Sequence, residues 1–160
     1  MNPLLLDILP LVREGYCCSQ ILILMALRAR GEEKPGLVRA LWGLCEGMAQ
    51  SGQGCALLSG GVCLLSYLAG RGGANDEAHP MAVPLINEYV AWFTSRVSPC
   101  GGTDCPRVAA WLGKNAGRDV SEEHFVPDME LCGELLAECW EKLLELLAAY
   151  DIDISSARLE

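Results

Sequence analysis

Apolar positions recur at helical spacing along most of the chain, and no stretch alternates in the manner of a half-buried strand. The clearest segment follows Pro127. Cys132, Leu135, Leu136, Cys139, Leu143, Leu146 and Leu147 form one stripe there, and Glu130, Glu134, Glu138, Glu141 and Glu145 fall on the opposite face. Spacings of three and four predict an amphipathic helix, with Pro127-Asp128 as its start signal. A second stripe, Ala82, Leu85, Ile86, Tyr89, Val90, Phe93 and Val97, is opened by Pro80 and Pro84. A third, Leu37, Leu41, Leu44, Cys45 and Met48, predicts a helix over residues 36–50 that begins near Pro35. Gly15 divides a helix over residues 3–14 from one over 17–29. A short helix over Thr103–Leu112 follows Cys100-Gly101-Gly102.

The run Ser51-Gly52-Gln53-Gly54 is a turn by composition, and Cys55 to Ala69 after it is apolar on every side. Such a segment fits a helix enclosed by others. Gly47 to Gly70 carries no charge, which raises the question of a membrane span. Its first half is rich in Gly, Ser and Gln, however, and a spanning helix needs about 20 predominantly apolar residues. A buried central helix is the better reading. Asp151 to Glu160 read as a C-terminal tail. The expected fold is therefore all-α: one domain over residues 1–150, a bundle of about six to seven helices with a buried central glycine-containing helix.

Composition narrows the function. At 160 residues, 51% apolar and 21% charged, the chain is long enough for a hydrophobic core and is not disordered in its body. A net charge of −9 without any Lys/Arg cluster argues against a nucleic-acid partner. The first residues lack a basic segment and are broken by Asp7 and Pro10, so no convincing signal peptide is present. A cytoplasmic location is the expectation. Nine cysteines is an odd count, and permanent disulfides throughout are not expected in a reducing compartment. His79 and His124 lie in polar segments and read as surface residues. The sequence holds no Ser/His/Asp set, phosphate loop, dinucleotide fingerprint or HExxH.

The cysteines carry what chemistry there is. Taken singly, a free cysteine usually packs as a small hydrophobe, and Cys45, Cys63 and Cys139 fit that role among Leu and Val. Cys18, Cys55, Cys105 and Cys132 share something more, because each falls at or near a predicted helix N-terminus. Free N–H groups and the positive end of the dipole there favour an anion, and a thiolate is both nucleophile and metal ligand. Asp104 and Glu130 oppose that effect. Cys17-Cys18 is a vicinal pair, Cys100 and Cys105 form a CxxxxC, and no CxxC occurs. Gly43, Gly47 and Gly60-Gly61 predict a close crossing of the 36–50 helix against the 55–69 helix, or a pocket beside Cys55.

Gly15-Tyr16-Cys17-Cys18-Ser19-Gln20-Ile21-Leu22 resembles the N-terminal "CSQ" element of the C_GCAxxG_C_C proteins, a family for which redox activity is proposed. Gly54-Cys55-Ala56-Leu57-Leu58-Ser59-Gly60-Gly61 is similar to their central glycine-rich cysteine motif. Phe93 with Cys105, and Leu131-Cys132, resemble the third and fourth cysteine regions, so the likeness runs from about residue 10 to residue 148. The resemblance implies that the characteristic cysteines are Cys18, Cys55, Cys105 and Cys132, the same four that lie at helix starts. Three functions remain open. The first is a thiol redox protein in which the four converge and cycle between dithiol and disulfide, with Cys55 as attacking thiol and a redox partner protein. The second is a zinc or iron–sulfur site on the same four thiolates, and the third is a non-catalytic helical module. An apolar helical surface could also support a homodimer.

Overall fold

The computed structural model describes residues 2–118 and 129–155; His124 and the Pro127-Asp128 helix start fall outside the described residues. The architecture is all-α. Seven α-helices are formed by the described residues: α1 (Leu5–Arg13), α2 (Cys18–Arg30), α3 (Pro35–Leu41), α4 (Ala56–Ala69), α5 (Ala82–Arg96), α6 (Cys105–Asn115) and α7 (Met129–Ala149). Their only extended pairing, among the described residues, is an isolated antiparallel bridge between Gly54 and Asp104. The stripes of α5 and α7 face the core, where Leu85, Tyr89, Phe93, Leu136, Cys139 and Leu143 are fully buried. Arg96 clasps Glu138 with two hydrogen bonds of 2.6 and 2.9 Å and ties these two helices at the surface.

Helix α4 is the centre of the bundle and packs along α2 and α5. Its two glycines are not breaks, since the helix runs through them without interruption. A methyl group on Gly60 would lie 2.7 Å from Ser19 Cα, and one on Gly61 would lie 2.3 Å from the Tyr89 ring. The close crossing expected from these glycines therefore exists, but α2 and α5 make it rather than the segment at 36–50. No single helix among the described residues is long and apolar enough to cross a membrane, and the uncharged α4 has 14 residues.

The expected helix over 36–50 stops at Leu41. A 3₁₀ turn, Trp42–Leu44, follows, and then five consecutive residues take left-handed backbone angles: φ is 54° at Glu46, 77° at Gly47, 59° at Met48, 53° at Ala49 and 67° at Gln50. Two buried polar side chains explain the stop. Ser19 Oγ donates to the Leu41 carbonyl at 2.9 Å, and Gln20 Nε2 donates to the Val38 carbonyl at 3.2 Å. Both carbonyls belong to the last turn of α3. The "SQ" of the N-terminal element is thus the cap of α3. A left-handed residue with a side chain costs roughly 1–2 kcal/mol, so this turn with its four non-glycine residues needs firm external support.

The chain end packs back onto the bundle. Ile152 and Ile154 rest against the core, and Arg30 Nη1 donates to the Ile154 carbonyl at 3.2 Å. Residues 156–160 of the expected tail lie outside the described residues.

Candidate functional site

The four cysteines singled out at helix starts stand where the spacing put them. Cys18 is the first residue of α2, with Cys17 as its extended N-cap. Cys55 is the N-cap of α4, Cys105 is the first residue of α6 with Pro106 behind it, and Cys132 lies in the first turn of α7. What the spacing could not give is their meeting. The loops entering α4 and α6 pair through the Gly54–Asp104 bridge: the Cys55 N–H donates to the Thr103 carbonyl at 2.8 Å, and the Cys105 N–H donates to the Gln53 carbonyl at 2.9 Å. Two helices whose cysteines are 50 positions apart therefore start side by side.

Cys18, Cys55, Cys105 and Cys132 line one cavity of about 310 Å³. Its remaining walls include Cys17, Tyr16, Glu46 and Met129, with Val12, Ala56, Leu57, Val108 and Ala109 supplying an apolar surround. Cys18 Sγ is 3.8 Å from Met129 Sδ. The pocket expected beside Cys55 is real, and all four thiols belong to it.

Burial governs the protonation of two of these thiols. It pushes Cys55 and Cys105 up to about 12, with the charge of neighbouring thiolates acting in the same direction. A helix start carries only about half a unit charge, and removal of an anion from water outweighs it. Cys132 is the exception. The pKa of Cys132 is lowered and that of Cys18 raised well above the ordinary thiol value, in each case chiefly by the interaction of these two side chains with each other, while Cys18 Sγ is itself placed to donate to Met129 Sδ. Of the two, Cys132 is the more acidic. Helix position alone therefore did not select the more acidic thiol; the neighbouring Cys18 did.

The other cysteines have separate fates. Cys17 and Cys45 form a disulfide with their Cα atoms 5.8 Å apart, within the span that bridging needs. Cys45 is accordingly not the simple core hydrophobe that its place in an apolar stripe indicated. Cross-linking residues 28 apart stabilises a chain by about 3–4 kcal/mol, and the left-handed turn begins at Glu46, the residue after the bridge. Cys100 sits 2.8 Å from the carbonyls of both Val97 and Gly102 and lies outside the cavity walls. Cys139 is fully buried, as expected, next to Tyr89. Cys63 is only half-buried, on a groove shared with Leu44, Tyr67 and the 70–76 loop. His79 is half-exposed and accepts the Met81 N–H at its Nδ1. Sequence reading missed Glu46, Met129 and the Cys17–Cys45 pair; only the vicinal Cys17-Cys18 signalled that sulfur chemistry extends beyond four residues.

Among the described residues, no group of three or more His, Cys, Asp or Glu side chains is arranged to hold a metal ion. Neither the curated proteins nor the solved structures include a match to this chain. The family model described as "Putative redox-active protein (C_GCAxxG_C_C)" matches residues 16–146. In the run Gly54-Cys55-Ala56-Leu57-Leu58-Ser59-Gly60 the second glycine comes one place later than the family's name spells it. With a match over most of its length and the cysteines of all four regions gathered at one cavity, the chain belongs to the C_GCAxxG_C_C family.

Proposed function

We propose that the protein is a thiol–disulfide exchange protein whose reacting pair is Cys132 and Cys18. The observation that carries this reading is the convergence of four thiols from four helices on one cavity, one of them made more acidic by another. Exchange requires an accessible thiolate and a resolving thiol next to it. Cys132 fits the first role better than Cys55, whose burial keeps it protonated. The Cys132 thiolate attacks one sulfur of a substrate disulfide, forms a mixed disulfide and releases the other sulfur as a thiolate. That leaving thiolate takes the Cys18 proton. The Cys18 thiolate then attacks Cys132 Sγ, closing a Cys18–Cys132 disulfide and releasing the second substrate sulfur as a thiolate. Two electrons pass from the two cysteines to the substrate, which leaves as one thiol and one thiolate, so charge and protons balance. Cys55 and Cys105, held protonated by burial, add no negative charge of their own to the cavity.

The test uses the full chain with its cavity thiols reduced, mixed with oxidised glutathione as the probe disulfide. The expected result is loss of two hydrogens from the protein by mass spectrometry, with the new bond mapped to Cys18–Cys132. Cys132→Ser should slow the reaction at least about a hundredfold, equivalent to about 2.7 kcal/mol. Exchange that proceeds equally well in this variant overturns the proposal. Stoichiometric iron or zinc that survives purification without oxygen and is lost on Cys→Ser substitution would overturn it in favour of a metal site.

A further inference from the structure

The Cys17–Cys45 disulfide belongs to neither half of the reacting pair, yet it is built into the wall of the same cavity. Cys17 lines it directly, and Glu46, the next residue after Cys45, lines it too. From Glu46 the chain runs through five left-handed residues, a conformation that side chains disfavour and that persists only where its surroundings impose it. Three attachments impose it here. The disulfide fixes its start to the N-cap of α2. The Gln53 N–H donates to the Gly47 carbonyl at 3.1 Å, and Ser51 Oγ donates to the same oxygen at 2.9 Å. Gly47 is pressed so closely onto the α6 start that a methyl group there would stand 2.5 Å from the Gln53 carbonyl oxygen and 3.0 Å from Cys105 Cβ.

The turn is thus joined in series to the cavity: the disulfide holds Glu46–Gln50, the turn holds Gln53, and the Gln53 carbonyl accepts the Cys105 N–H. Of these attachments only the disulfide can be made and broken by chemistry. We propose that Cys17–Cys45 is a second redox centre, a clamp whose reduction by a dithiol lets the Glu46–Gln50 turn relax and opens the thiol cavity at Cys105 and Cys55. One dithiol supplies two electrons and two protons. Its two sulfurs become a disulfide, the Cys17–Cys45 S–S bond breaks, and each of the two cysteines leaves as a neutral thiol. Half-buried Cys17, on the cavity wall, is the sulfur within reach of the incoming thiolate. The oxidised protein is then a closed form and the reduced protein an open form of the site; this regulation rests on the exchange reading above.

The experiment measures alkylation by iodoacetamide, residue by residue by mass spectrometry, on the full chain at fixed pH. Three samples are compared: protein with the disulfide intact, protein with both cysteines reduced by dithiothreitol, and the Cys45→Ser variant. Alkylation of Cys105 and Cys55 should be at least about tenfold faster in the second and third samples. Reoxidation of the second should restore the slow rate, and amide exchange at Gln53 and Cys105 should change in parallel. Gly47→Ala keeps the disulfide but cannot keep the turn, so it should open Cys105 as well; this variant guards against misfolding caused by sulfur removal alone. Rates within twofold of one another across all samples overturn the clamp. Because the readout is access to Cys105 and Cys55, it can succeed or fail whether or not Cys18 and Cys132 exchange with a disulfide.

Discussion

Cys132 and Cys139 lie on the same face of α7, two turns apart, and both are buried. Chemically they are opposites. Cys132 sits in the first turn, at a cavity where its interaction with the Cys18 thiol lowers its pKa. Cys139 sits at the middle of the helix against Tyr89, where burial drives its pKa upward. A stripe of hydrophobic spacing treats the two as equivalent, since either packs as a small apolar group. What separates them is the company at each level of the bundle. The helix starts bring other thiols, while the middle layer brings Leu85, Phe93 and Leu143. Reactivity here is a property of the layer, not of the residue type.

That contrast can be broken most forcefully from the core side. Gly61→Ala drives a methyl group into the Tyr89 ring and should cost about 2–3 kcal/mol, lowering Tm by roughly 5–10 °C in a thermal melt. Below its melting range the variant should still exchange at Cys132, because Gly61 touches no cavity thiol. If exchange collapsed while the fold persisted, the two layers would not be separable.

A smaller effect comes from pH. Cys55 and Cys105, raised to about 12 from an ordinary value of 9.0, hold their protons longer folded than unfolded. Their contribution to stability is complete below pH 9 and drains away as pH rises toward 12, by about 1 kcal/mol per thiol for each unit. Cys139 adds in the same direction, whereas Cys132, with its lowered pKa, has the opposite sign and loses its contribution as pH falls through its folded value. Urea midpoints from pH 8 to 11, with Cys17–Cys45 intact, should therefore decline. A flat profile would show that Cys55, Cys105 and Cys139 are not shielded from water.

The smallest and sharpest change removes the neighbouring thiol. Cys18→Ala should raise the pKa of Cys132 and slow its alkylation near neutral pH by roughly three- to fivefold, with the labelling profile displaced to higher pH. If the profile did not move, Cys132 would owe its acidity to the helix start after all, and its difference from Cys139 would be a matter of position along α7.

The sequence by itself determined the all-α class, most helix positions, the burial of the α5 and α7 stripes and the four cysteines at helix starts. These follow from local rules: periodicity, glycine and proline punctuation, and apolar runs read within one segment. Its failures were of one kind. The helix predicted over 36–50 was ended by Ser19 and Gln20, which reach it from about 20 residues upstream. The glycines of α4 met Ser19 and Tyr89 rather than the neighbouring segment. Cys45 found Cys17, and the loop ahead of Cys55 found the loop ahead of Cys105, through a single bridge between Gly54 and Asp104. Each is a contact between distant parts of the chain, and spacing along one helix says nothing about which other helix will face it. The tertiary structure alone decided that four thiols share one cavity, and that among them Cys132 is the most acidic.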